Sequence, residues 1–387
     1  MTESRSAPSA ASREWGQGQL KPGWILGPRA DVAIFTGPIL AAMGLIYYAH
    51  GRGILHDEMP VWMFAVLIVA CDVAHVYATA FRVYLDPERF KARPGLFLGA
   101  PIACFAVGVT LYSMGPEVFW RVLAYLAVWH FVRQQWGWVA YARAKAGEGD
   151  VDRRLDQLTI YSVTLYPIVY WHTHLPRSFD WFLAGDFAAV PGGLGAWAHG
   201  AAAAAHWAVV AAFAARQVHR LATGLGVNWA KLQIVAATWV AWYVGIVALN
   251  SDIAFTALNV LSHGVPYLAV VWSIERTYAA RGTRDGDAPA RAWAAKWFQP
   301  RLALLLLGAL MLVGYGEEWL WHGLVWNDLD QLFPRAWEGA LSAGWLSLLV
   351  PLLAMPQATH YVLDGWLWKR RKSAGNVELE GLFHGPR

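Results

Sequence analysis

The sequence predicts an all-α protein, a polytopic integral membrane helical bundle of about ten transmembrane helices with both termini cytoplasmic. Three observations predict it. Of 387 residues, 57% are hydrophobic and only 15% charged, with a mean hydropathy of +0.32, a balance rarely met in soluble domains. Apolar runs of roughly 18 to 26 residues, long enough to cross a hydrocarbon core of ~30 Å, recur along the chain. Basic residues gather at alternate loops, as cytoplasmic loops require.

Residues 1–30, rich in Ser, Ala, Gly and Pro, read as a disordered cytoplasmic tail, because no cleavable apolar segment directly follows the charged start. The first span, 31–50, comes after Arg5, Arg13, Lys21 and Arg29, and the second, 60–82, ends in Arg82, Arg89, Lys91 and Arg93. Spans 95–114 and 117–142 form the next pair, closed by Arg143 and Lys145, with Arg153 and Arg154 opening span 155–172. Span 200–219 is rich in Ala, a composition that lets helices approach closely, and Arg216, Arg220 and Lys231 bracket the passage into 229–249. Basic residues from Arg276 to Arg301 separate 253–278 from 301–319, and Lys369 to Lys372 follow 345–368. The opposite loops hold little more than Arg52, Arg177 and Arg335. The stretch 280–300, with Trp293 and Trp297 beside Arg291 and Lys296, suits a short helix lying in the interface, and 320–343, with Trp321, Trp326 and Trp337, suits a second on the other face. The domain reading is therefore a single transmembrane domain, 31–368, followed by a basic cytoplasmic tail, 369–387.

The net charge of +4 belongs to these span ends, and nucleic acid is not an expected partner. The two cysteines, Cys71 and Cys104, lie within apolar runs and form neither a disulfide framework nor a thiolate zinc motif. A P-loop, a haem-attachment Cys-x-x-Cys-His, a Gly-x-Ser-x-Gly elbow and a dinucleotide-binding glycine pattern are absent.

Chemistry concentrates on four histidines inside the spans, His75, His130, His263 and His360. Ionisable groups in hydrocarbon are costly and mark function. All four lie on spans that run toward the cytoplasm, between seven and thirteen residues before a basic cluster, which puts them about 10 to 20 Å from that end. Asp72 stands three residues before His75, and Asp364 four residues after His360, so each aspartate shares a helix face with its histidine. Imidazole and carboxylate from several helices make di-metal sites in bundles, and the mixed set suits iron, with manganese or zinc as alternatives. The aspartates are either ligands or the groups that fix the histidine tautomers. Arg133 and Gln134, within a turn and a half of His130, are the candidate catalytic pair, Arg133 needing an anionic partner in Asp72, Asp364 or a substrate headgroup. Pro266 and Pro356 release the carbonyls of Ser262 and Leu352 beside His263 and His360. His206 is the reserve ligand.

These features point to a metal-dependent oxidoreductase or oxygenase of di-iron type, acting on a membrane lipid or lipid-soluble small molecule in the cytoplasmic (inner) cell membrane. Two other classes use the same groups, a proton-coupled transporter and an electron carrier with haem held by paired histidines. The transporter is disfavoured because the Pro-interrupted spans, eight and ten, fall in one half of the chain.

Overall fold

The computed structural model describes residues 20–285, 296–334 and 341–368. Ten long helical rods stand where the ten apolar runs predict them, and no strand occurs among the described residues. They are α1 (Pro28–Gly51), α2 (Val61–Val83), α3 (Pro94–Met114), α4 (Pro116–Ala146), α5 (Asp150–Thr173), α6 (Gly192–Ala222), α7 (Trp229–Ala248), α8 (Asp252–Asp285), α9 (Pro300–Trp326) and α10 (Ala343–Leu367). All except α4 and α5 are long and apolar enough to cross a membrane. At about 46 and 36 Å, α4 and α5 have the length but carry more polar groups: Arg121, Arg133, Gln134 and Gln135 in α4, and Asp150, Asp152 and Asp156 in the first turns of α5.

Local chemistry sets the rod ends. Gly115 alone links α3 to α4, at a φ of 144° that a side chain would resist, and Pro116 then occupies the first turn of α4, where its missing N–H leaves no bond unmade. Left-handed Gly147 closes α4. The Ser342 hydroxyl accepts the Trp345 N–H and starts α10. Within α2, residues Ala65–Val73 take the wider π-helical register just before His75, a distortion often found at functional sites.

Two apolar clusters stack along the bundle. One joins Leu67, Val128, Phe131, Trp171, Trp242 and Leu261; the other joins Trp138, Val139, Ile160, Ile234, Val270 and Ile274. Reading along α4 and α8, the first gives way to the second at His130 and His263. At the basic end the bundle is locked by buried ion pairs. Lys231 Nζ meets Glu148 Oε2 at 2.8 Å and Asp156 Oδ1 at 3.0 Å, and Arg143 Nε meets Asp156 Oδ2 at 2.6 Å, tying α4, α5 and α7 together. Arg82 Nε reaches Glu275 Oε1 at 2.9 Å and joins α2 to α8. Several residues that mark topology in the sequence thus have a packing role as well.

Three local expectations change. Residues 20–27, assigned to the tail by composition, dock on the bundle: Ile25 is buried, its N–H and that of Leu26 bind the Asp31 carboxylate, and Lys145 Nζ donates to Ile25 O at 2.6 Å. Helix α8 continues to Asp285, past the expected end at 278. Residues 320–326, expected to open a separate short helix, are the end of α9, which continues through a π turn to Trp326, with Trp321 and Trp326 stacked on each other and packed against Trp120 at the start of α4. Most of the N-terminal tail, Arg291 and Trp293, Trp337 and the tail from 369 lie outside the described residues.

Candidate metal centre

Helices α2, α4, α8 and α10 bring His75, His130, His263 and His360 to one point. One ring nitrogen from each lies within 4.8 Å of those of the other three, and all four residues are buried. The rings form a closed square, with centroids 4.7 Å apart for His75 and His263, 5.1 Å for His263 and His130, 4.7 Å for His130 and His360, and 5.0 Å for His360 and His75. His75 Nε2 and His263 Nε2 face each other at 3.1 Å. Nε2 of His130 and of His360 are buried without a hydrogen-bond partner. The four Nε2 atoms therefore bind no protein group except one another, an arrangement that leaves costly orphaned lone pairs unless something occupies the middle.

One ion fits that middle. Nitrogens on opposite sides of a single ion lie at most about 4.2 Å apart, twice a metal–nitrogen bond near 2.1 Å. A contraction of about 0.6 Å would bring the set from its 4.8 Å span to that limit.

The sequence builds this convergence through close helix approach and backbone capping. At Gly264 a Cβ would sit 2.8 Å from Cys71 O and 3.8 Å from His75 Nδ1, so glycine alone lets α8 lie directly on the backbone of α2. The Phe131 ring stacks on His263 at 3.6 Å between centroids, fixing its plane. Gln134 Nε2 donates to His263 O at 2.8 Å, and Gln135 Nε2 approaches Ser262 O, the carbonyl that Pro266 releases, at 3.5 Å. The glutamines after His130 thus satisfy the interrupted backbone of α8. Gln134 holds a ligand-bearing helix, with its Oε1 buried and unpartnered.

A second polar layer lies one turn nearer the basic end. Thr79 Oγ1 is 2.8 Å from His360 Nδ1 and makes a short contact with Tyr267 OH, which donates to Asp364 Oδ1 at 2.9 Å. Thr79 therefore fixes the His360 ring with Nε2 turned to the centre. Asp364 Oδ2 stands 3.9 Å from His360 Nε2, and Asp72 Oδ1 stands 3.7 Å from His75 Nδ1, the nitrogen facing away from His263. Neither carboxylate joins the mutually close four-atom set. Asp72 faces the outer nitrogen of His75, the second of the two roles the sequence allows, whereas Asp364 stands beside the inner nitrogen of His360 and accepts from Tyr267, with Thr79 on the outer one. Thr79, Tyr267 and Phe131 are functional neighbours that sequence reasoning did not select.

Arg133 is exposed on α4. Its Nη1 donates to Tyr161 OH at 2.8 Å and its guanidinium lies over Trp129. Neither Asp72 nor Asp364 pairs with it among the described residues. His206 is held elsewhere, between the Ser162 hydroxyl and the Trp239 indole N–H, and is stacked on Tyr166. His322, expected at an interface, is buried against Phe333 and contacts Glu318 and Asp328. Comparison of the chain with protein-family models, curated proteins and solved structures gives no match, so the functional reading rests on this geometry.

Proposed function

We propose that this chain is a multi-pass protein of the cytoplasmic membrane, crossing it ten times with both termini inside. In this reading His75, His130, His263 and His360 hold one metal ion for oxidoreductase or oxygenase chemistry on a lipid-soluble substrate. The observation that carries it is the meeting of four buried imidazoles, whose nitrogens lie within 4.8 Å, three of them on helices long and apolar enough to cross a membrane and His130 on the more polar α4. Their closeness favours a single ion over the pair that the sequence suggests, since two ions about 4 Å apart need ligands spread more widely. The edge-to-face packing of the rings leaves no flat slot for haem. An all-imidazole set suits iron, with zinc, copper or nickel as competitors, and loses the carboxylates that would favour manganese.

A bound iron would supply redox chemistry at the coordination positions that the four imidazoles leave open. The chain's own groups do the rest. Thr79 orients His360, Asp72 faces the outer nitrogen of His75, and Gln134 anchors α8 behind His263. The apolar clusters on either side keep bulk water from the centre.

The test is elemental analysis of the purified protein together with its optical spectrum. One iron per chain without a Soret band is expected, falling to background in a folded His263→Ala variant. A folded wild-type protein that takes up no metal on reconstitution would overturn the assignment, and a Soret band would replace it with haem.

A further inference from the structure

A crevice of about 640 Å³ opens beside the four-histidine centre between α3, α4 and α10. It borders α4 from Phe119 to Tyr141, about 33 Å of helix. Spread over that length, its volume gives a bore of about 5 Å, room for a single hydrocarbon chain when carbon atoms pack 3.5–4.0 Å apart. Its two halves differ in chemistry. Toward the end away from the basic clusters the walls are apolar, with Val107 and Leu111 of α3 facing Val122 and Leu126 of α4. From His130 toward the basic end three polar side chains, Arg133, Gln134 and Asp364, join aromatic walls of Trp136, Trp138 and Trp368.

Arg133 lies at this boundary. It is 13 residues from the basic end of α4, about 20 Å, deeper than phospholipid phosphates sit on a hydrocarbon core ~30 Å thick. A cation there is expensive without a counter-charge, yet its partners among the described residues are one phenol hydroxyl and one indole face. The unpartnered, buried His130 Nε2 lies one turn away at the same boundary.

We infer that this crevice is the substrate site, and that it seats a long-chain carboxylate entering sideways from the bilayer, its head on Arg133 and its chain along the Val107 and Val122 walls. The carbons next to the carboxylate then lie beside His130. The inference deepens the proposed function and rests on it only for what His130 does to the bound molecule.

The test measures binding of radiolabelled hexadecanoate and of hexadecanol to purified protein in detergent, with metal content read on the same samples. Wild type is expected to bind the carboxylate about 10- to 100-fold tighter than the alcohol, as a charge-assisted hydrogen bond implies. Arg133→Gln is expected to abolish that preference, and Val107→Trp to weaken both ligands, with metal content unchanged throughout. Equal binding of the two ligands by wild type, a preference that survives Arg133→Gln, or binding indifferent to Val107→Trp would each overturn it. Tight, Arg133-dependent binding by a protein without metal would sustain this site while refuting the metal centre. Displacement of hexadecanoate by a short-chain alkyl phosphate as effectively as by a long-chain carboxylate would show a headgroup anion site and refute the chain-binding crevice.

Discussion

Gly264→Ala tests how the site is assembled without touching a ligand. A Cβ at this position would lie 2.8 Å from the Cys71 carbonyl oxygen, where ordinary contact begins at 3.4 Å, so α8 must retreat from α2 by about 0.6 Å. His263 rides on α8 and His75 on α2, and their nitrogens, now 3.1 Å apart, would separate by a similar amount. Metal sites hold their bond lengths to about ±0.2 Å, so the retreat must be reversed when metal binds. Overpacking of this kind costs roughly 1–3 kcal/mol. If that cost falls on the metal-bound state, affinity drops about 5- to 150-fold. The assay is metal binding in detergent against a competing chelator, beside Gly308→Ala on α9, where an added methyl meets nothing within 4 Å. The glycine at 308 is expected to be silent. Unchanged affinity in a folded Gly264→Ala protein would refute the reasoning, because the α2–α8 approach would then have no part in holding the centre.

Other consequences concern the surrounding layers. Thr79→Val removes the oxygen that orients His360 and is expected to weaken metal binding about 10- to 100-fold, while Thr79→Ser retains it; equal loss in both variants would show a packing effect instead. Lys231→Met removes one of the two buried cations that Glu148 and Asp156 share, leaving Arg143 beside both, and should cost about 1–3 kcal/mol, read as a lower denaturation midpoint, and an unchanged midpoint would argue against the ion-pair lock. In the loop between α5 and α6, burial raises the Asp186 carboxyl above its ordinary range, opposed by the N–H groups of Phe182 and Leu183. Its folded pKa exceeds the unfolded value near 3.9, so this residue adds stability as pH falls through the folded value. Asp186→Asn should remove that gain from thermal melts recorded between neutral and mildly acidic pH; a pH profile identical to wild type would contradict it.

The positions of the rods were legible because apolar runs and their basic ends report directly on helix length and burial. The four histidines were legible for the same reason, since ionisable groups in apolar helices carry a cost that needs a return. Their convergence was not, because helix order around a bundle depends on contacts such as Gly264 on Cys71 that no local pattern encodes. One further signal lay in plain view. Each histidine is followed four residues later, on the same face, by a hydrogen-bonding residue: Thr79, Gln134, Tyr267 and Asp364. Reading only carboxylates as partners picked out Asp364 and passed over Thr79 and Tyr267, although a neutral hydroxyl orients an imidazole as well. Gln134 was selected for chemistry, and its amide nitrogen serves the backbone of His263 as well. His322 reads as interfacial because the apolar run ends before it, while α9 continues through a π turn that buries it.

X-ray absorption at the iron edge of reconstituted protein addresses the centre most directly. The account predicts imidazole scattering from about four nitrogens at ~2.0–2.1 Å and no second metal near 4 Å, with the nitrogen shell reduced in His130→Ala. A shell without imidazole, or a resolved metal–metal distance, would contradict a single ion held by His75, His130, His263 and His360.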